Sequence, residues 1–561
     1  MASLLVEAQA AKDVWNFNEG IKDLRAAELL TNRKADPATY ATVQNALGEM
    51  LDQQGLSAEA EPALRRALEV RSEQPGPQSA ETLATRTALA ESLLHQRKPK
   101  DAIAELRGVL EIQQRVLKPT DRALLKTRFY LAQAQDQIGP DPDTRPVYEA
   151  ILKSQEQALG ASDRDPLATR FAHAESQASH GKWPASEKEH AALIVARTQA
   201  LGAEDSDTLD SRVAFAQTLS GQGKHLEATT ELNAVLALRE RLLGAEHPYT
   251  IKTRFALIGV LFDSGNFPEV ERNCRSLIAL QSRLLGPENP ATLDTRMALG
   301  NALYLQGKFA EAEAEQRALL AIRQRLLGAD HLDTFALRSN LALILSRQAK
   351  YDAAEKEFRA LIKAETAAFG AEHPDTLSSR SNLGMVLKSA GQNEAAEAEF
   401  RATTEIMTRV LGPEAPNTLT SRSNLAAALR GAKSYDKAEK EYLAILKIQE
   451  RLHGPEHPDT LMVRTNLAMV TYDAGRTREA EAELRALIDL RVRVQGKDHP
   501  DVLTSCRNLA QMLANDQQYK EALPYARWAA TGSKRTLGEN HPQTKAAVLL
   551  CAKIERAAAG H

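Results

Sequence analysis

At 561 residues the chain is longer than one hydrophobic core supports, so it is either several globular domains or an array of small units. Its 71 Lys plus Arg balance 74 Asp plus Glu, which leaves no net basic field to draw nucleic acid or an anionic membrane and points to a protein partner. Cys274, Cys506 and Cys551 stand far apart with one thiol odd, which excludes a disulfide framework or CxxC metal site and fits a reducing cytoplasm, and no apolar run is long enough to read as a membrane span or signal peptide.

In chain order, "MASLLVEAQAAKDV" reads as the latter part of one helix and "WNFNEGIKDLRAAELL" as the next. Residues 1–33 are therefore an incomplete first unit, either a natural cap or the remainder of a longer chain. "KADPATYATVQNAL", "GPQSAETLATRTALA" and "KPTDRALLKTRFYLA" open three degenerate units over 34–159, starting at Lys34, Gly76 and Lys118. In "QIGPDPDTRPVYEAIL" three prolines displace a helix start to near Pro146, because proline is tolerated only in a first helical turn.

From Gly160 the register is strict. Glycines follow at Gly202, Gly244, Gly286, Gly328, Gly370, Gly412, Gly454, Gly496 and Gly538, each 42 residues after the last. Regular units fill 160–537, and 538–561 supplies a single capping helix. Twelve units at one period in an Ala- and Leu-rich chain mean a solenoid, in which each unit buries its apolar face against its neighbours.

Each unit reads as two helices. After the glycine come a short polar loop, then a helix A of about fourteen residues, capped by Asp or Thr (Asp375 and Thr376) and carrying Leu377, Leu383 and Leu387. It ends near a second glycine, at Gly55, Gly139, Gly181, Gly223, Gly265, Gly307, Gly391 or Gly475, which suits a left-handed cap. Helix B follows with a small residue at the crossing (Ala312, Ala354, Ala396, Ala480) and a bulky one a turn later (Phe358, Phe400, Tyr442).

This small–large pattern resembles the tetratricopeptide repeat, and the 42-residue motif "LG.EHPDTL..R.NLA..L...G....AE....AL" resembles the kinesin light chain subclass and arrays of bacterial signalling and defence proteins. The resemblance implies an all-α fold, a right-handed α-α superhelix of twelve units with the incomplete first unit and the terminal helix at its ends. It implies a non-catalytic scaffold that binds a protein or extended peptide. The alternative is the sensor portion of a bacterial signalling or defence effector, answering a trigger protein for an attached kinase, protease or ATPase.

Within the motif, "HPDTLSSRSNLG" (373–384) mimics an active site. His373 recurs as His247, His331, His457, His499 and His541, but units stacked ~8–10 Å apart cannot bring two such histidines to one metal, so the reading is a loop histidine bonded to helix ends. Ser378, Ser379 and Ser381 have no fixed acid and base beside them, and GxxxxGK[ST], HExxH and GxSxG are all absent. No catalytic residue, cofactor or metal is expected. His173 replaces a core leucine and reads as a satisfied buried histidine.

Arginine recurs ten residues after the loop glycine, from Arg86 through Arg296, Arg338, Arg380, Arg422 and Arg464. Placed beside the apolar stripe, it is expected to brace the fold by pairing with helix-B acids such as Glu313, Glu355, Glu397 and Glu481, which also stand four residues before Arg317, Arg359, Arg401 and Arg485.

Two residues further on, Asn340, Asn382, Asn424, Asn466 and Asn508 replace the Ala88, Tyr130, Ala172, Ala214, Ala256 and Ala298 of earlier units. In peptide-binding members of the resembled family an asparagine at the matching place bonds the ligand backbone, for which an amide, donor and acceptor together, is suited. The other reading is an asparagine that ties adjacent helices. Leu343, Met385 and Met469, then Lys388, Arg430 and Tyr472, lie further along the same helices and would suit a peptide with apolar anchors and some acidic character.

Overall fold

The computed structural model describes residues 2–13, 17–138, 145–539 and 542–559. Among these residues there are 27 helices and no strand. The sequence predicts two helices per unit, and that is what forms: helix A of unit 370 is Pro374–Ser389 and helix B is Asn393–Leu411. Helix A runs 16 residues, longer than the expected fourteen, because it begins directly at the loop proline. Proline at a first helical position has no amide that needs a partner. The late helix begins at Arg145 with Pro146 in its first turn, as the pattern predicts, and is 15 residues against 19 in regular units. Gly139 lies outside the described residues.

The chain divides into two compact units, 1–264 and 265–561. In the second, one apolar core runs through successive repeats. Leu383, Val386 and Leu387 of helix A meet Ala396 and Phe400 of helix B, all essentially buried. Gly384 permits that crossing: a Cβ there would stand 2.8 Å from the Phe400 ring. A second cluster gathers Leu484, Leu487, Cys506 and Leu509, and the terminal helix Pro542–Ala559 adds Ala547, Cys551 and Ile554. In the first compact unit, Leu24, Leu47, Ala60 and Ala63 form one cluster and Leu64, Leu89, Leu93 and Leu106 another.

Two glycines per repeat set the turns. The loop glycine, Gly370 at φ 96° and ψ 160°, occupies backbone space that residues with a Cβ essentially do not enter. Its carbonyl accepts the Thr376 hydroxyl at 3.0 Å, and Gly202, Gly244, Gly286, Gly328 and Gly454 are clasped in the same way by Thr208, Thr250, Thr292, Thr334 and Thr460. The cap differs from expectation. His373, not Asp375 or Thr376, is the N-cap, its Nδ1 accepting the Asp375 amide at 3.3 Å. His247, His331, His457 and His499 do the same, Asp163, Asp205 and Asn289 fill the place elsewhere, and His541 lies outside the described residues.

The second glycine adopts a left-handed conformation, as at Gly391 with φ 79°. Units without it hold Arg97, Ala349, Lys433 and Gln517 at φ 58° to 61°. Left-handed backbone costs a side-chain-bearing residue ~1–2 kcal/mol, part of which is recovered on replacement by glycine once its larger unfolded-state entropy is counted. Ala349→Gly and Lys433→Gly should therefore each stabilise by about 0.5–1 kcal/mol and raise the urea midpoint, while Gly391→Ala, which meets no neighbouring atom, should lower it. Equal midpoints for all three variants would contradict the strain.

Candidate functional site

The helices A of units 328, 370, 412 and 454, Leu332–Arg347, Pro374–Ser389, Pro416–Gly431 and Pro458–Asp473, each touch the next and form one wall. Along each helix the leucines turn inward and one stripe stays open. In unit 370 that stripe is Ser378, Asn382, Met385 and Lys388, at spacings of three and four that keep them on one face. Met385 is 48% exposed. The same stripe carries Asn340 and Leu343, then Asn424 and Arg430, then Asn466, Met469 and Tyr472, and in the following helix A, Pro500–Asn515, it carries Asn508.

All five asparagines are half-buried, and among the described residues none of their side chains has a hydrogen-bond partner. No bond from them ties neighbouring helices. Other stripe residues are engaged. Arg430 Nε is 2.5 Å from Asp473 Oδ2 of the next unit, and the Tyr472 hydroxyl reaches Asp516 at 3.5 Å. Arg430 is thus less available to a ligand than its sequence position suggests. Lys388 has no such partner; solvent reaches it, yet the protein crowded around it and the Arg430 charge lower its pKa. Leu343, Met469 and Tyr472 lean partly on the core.

From Arg296 to Arg464 the arginine ladder faces helix B of its own unit, whereas Arg254 pairs with Glu240 of the preceding helix B. Arg296, Arg338, Arg380 and Arg464 lie 2.5, 2.6, 2.6 and 2.6 Å from Glu315, Glu357, Glu399 and Glu483, and Arg422 pairs with Glu441. The acids that pair with the ladder are therefore two residues beyond the expected Glu313, Glu355, Glu397 and Glu481. A two-residue shift turns about 200° round a helix, so those four point elsewhere. They pair four residues ahead with Arg317, Arg359, Arg401 and Arg485. Glu313 also binds Lys350 of the next unit at 2.9 Å. The Lys350 ammonium, with Arg317 and Gln348, holds the Glu313 carboxyl at about 2 against the opposing effect of burial.

A second ladder escaped sequence reasoning because its residue types vary. Near the end of helix B, a buried polar side chain reaches a hydroxyl fourteen residues on, in helix A of the next unit. Arg239 meets Thr253 at 2.7 Å, Gln155 meets Thr169 at 2.7 Å, Gln281 meets Thr295 at 2.8 Å and Glu365 meets Ser379 at 3.1 Å. Of the three serines weighed as nucleophiles, Ser379 bonds Glu365 in this ladder, Ser381 donates to the Leu377 carbonyl at 3.0 Å, and Ser378 lies on the open stripe. His173 is buried, with Nε2 3.0 Å from Gln177. Among the described residues no cluster of His, Cys, Asp and Glu could hold a metal, and no helix is long and apolar enough to cross a membrane.

Comparison with known proteins matches the chain to a family described as tetratricopeptide repeat at residues 39–107, 254–325, 296–367, 333–409, 375–440, 417–491 and 463–535, and to a second model of the same description at 208–249. Among solved structures, a putative kinesin light chain from Podosopora anserina with nearly identical TPR-like repeats is 22% identical, covering 36% of this chain and 96% of its own, with a TM-score of 0.34. BtubC (BKLC) from P. vanneervenii is 21% identical over 41% of this chain and 92% of its own, with a TM-score of 0.36. The apo form of RapI is 11% identical over 63% and 98%, with a TM-score of 0.42. A search of curated proteins finds no match.

Glu365 supplies a test of the interunit ladder. It is 3% exposed, one of its oxygens has no partner, and burial raises its carboxyl to about 7. With a folded pKa above the unfolded 4.5, the native state binds the extra proton. Stability contributed by this group is full below about pH 4.5 and falls as pH rises towards 7, by about 3 kcal/mol in all. Glu365→Gln, which adopts the solution of Gln281, should match the parent at pH 4 and be more stable at pH 8 in urea unfolding followed by helicity. Parallel pH profiles would rule the account out.

Proposed function

The chain belongs to the tetratricopeptide repeat family, whose members generally mediate protein–protein interaction, and on that footing we propose that the open helix-A stripe between about 328 and 515 binds an extended segment of a partner protein. The observation that carries the reading is the set of five half-buried asparagine amides without internal partners. The amide atoms stay in contact with water, and an amide, donor and acceptor together, can exchange that water for the backbone of an incoming peptide. Helices packed ~8–10 Å apart and an extended chain rising ~3.3 Å per residue would let successive rungs meet roughly every third residue of the ligand.

Between the rungs, Met385, Leu343 and Met469 offer adaptable apolar contacts, and Lys388 offers a cation that no internal acid neutralises. Arg430, held by Asp473, adds shape and less net charge. The ligand that suits this stripe has apolar anchors with an acidic residue near the Lys388 end. In this reading the arginine ladder of Arg296, Arg338, Arg380, Arg422 and Arg464 braces the wall from behind and takes no part in contact. The scaffold acts without catalysis or cofactor.

Peptides selected against the full chain from a random display library provide the measurement. Asn382→Ala combined with Asn424→Ala should weaken the selected peptides about tenfold or more by fluorescence anisotropy while helicity is kept, at ~1 kcal/mol or somewhat more for each lost amide contact. Lys388→Glu should weaken acidic peptides in particular. Unchanged affinity in the double asparagine variant would overturn the assignment.

A further inference from the structure

The same stripe in the first compact unit has different chemistry. At the helix-A place where unit 370 has Asn382, unit 76 has Ala88; where unit 370 has Met385, unit 76 has Glu91, and unit 34 has Glu49. Between helices Pro37–Gln53, Ala80–His95 and Arg122–Ile138 lies a hollow of about 520 Å³, with Ala84 and Ala88 among its lining. Glu49, Asp52, Glu91 and Asp121 line it, and Lys126 is the lysine on its wall. The Lys126 ammonium lies 5.5 Å from the centre of the Tyr130 ring.

Acidic residues alone would not make a site. Two buried acceptors in the lining are, however, left without partners. Asp52 is 8% exposed; its Oδ2 lies 2.8 Å from His95 Nδ1, while Oδ1 has no partner. Gln113 is 3% exposed, and its Oε1 has none either. Gln113 holds the ladder place at which Gln155 and Gln281 accept a threonine hydroxyl, but here the Thr127 hydroxyl bonds only the Ala123 carbonyl and the amide oxygen has no partner. Asp52 sits in the last turn of a helix A and Gln113 in the last turn of a helix B. Because A and B run antiparallel, the two orphaned acceptors stand towards opposite ends of the hollow. From Ala80 to Glu91 its wall extends ~16 Å.

An elongated hollow with small apolar residues in its floor and unpaired acceptors towards both ends calls for a ligand with donors at intervals along an aliphatic chain. We propose that this hollow binds an aliphatic ligand carrying two or more ammonium groups, one donating to Asp52 Oδ1 beside Glu49 and Glu91 and another to Gln113 Oε1 beside Asp121. A free polyamine and a lysine-bearing protein segment share this chemistry. The site lies within the first compact unit and does not depend on the peptide stripe of the second.

Spermidine and a Lys-Gly heptapeptide, with its lysine-acetylated form as control, can be titrated calorimetrically into the full chain. Two variants locate any binding. Ala84→Phe fills the hollow without changing the charge, and Glu91→Gln removes one acid at a half-buried place; helicity verifies folding of both. Spermidine binding that is abolished by Ala84→Phe and weakened about fivefold or more by Glu91→Gln supports the proposal with a free polyamine as ligand. Binding of the heptapeptide but not of spermidine or the acetylated form, with the same response to the variants, supports it with a protein segment as ligand. Absence of binding by either cation, or binding that persists in folded Ala84→Phe, overturns it.

Discussion

The regularity of the array depends on one backbone conformation. At the loop glycine, φ near +90° with ψ near 160° sends the chain from the end of one helix B to the start of the next helix A, and essentially only glycine adopts it. The threonine clasp then occupies the glycine carbonyl, and the residue three places on caps the new helix. Because those steps are made within about six residues of sequence, the geometry is locally specified and repeats whenever the local sequence does. Where Lys34 and Lys118 replace the glycine, the turn is made differently, and one flank of the acid-lined hollow is the irregular connection through Val116, Leu117 and Asp121.

Once a repeat is placed, its polar side chains are nearly all committed. The arginine ladder takes one glutamate on helix B, and a second glutamate two places earlier takes an arginine of its own helix and a lysine of the next unit. These ion pairs are partly exposed and individually weak, and their main effect is on register: a repeat out of step would strand several charges at once. Against that background, unpaired polar groups are informative. Asp52 and Gln113 of the first compact unit hold buried acceptors without partners, and the asparagines of the second make no hydrogen bond within the described residues.

The helix pairs and the core leucines were legible in the sequence because a fixed period repeats the same signal many times, so local ambiguity cancels. The stripe was legible for the same reason, since Asn382 and Met385 lie at spacings that helical geometry alone resolves. Three features were not. The histidine cap was misassigned to Asp375 and Thr376 because those are the commoner capping types, and the local choice depends on where the proline fixes the first helical residue. The acid facing Arg380 was placed at Glu397 instead of Glu399 because two helix-B glutamates recur at the same period, and only the packing angle between helices selects one. The helix-B-to-helix-A ladder was hidden because Arg239, Gln281 and Glu365 do one job with three side chains, each reaching a hydroxyl of the next unit.

The acid-lined hollow illustrates a further limit of pattern reading. Ala88 recurs as alanine in several other units and so carries no signal, and the unpaired oxygen of Gln113 shows only in the packed structure. Asparagine, methionine and lysine on the stripe of one compact unit and alanine and glutamate on that of the other are two side-chain sets on the same helical face, and those that reach the core, such as Ala88, Leu343 and Met469, touch it only in part. The scaffold can hold stability and recognition on separate faces of the same helix, which leaves the open face freer to vary while Leu377 and Leu383 fill the core.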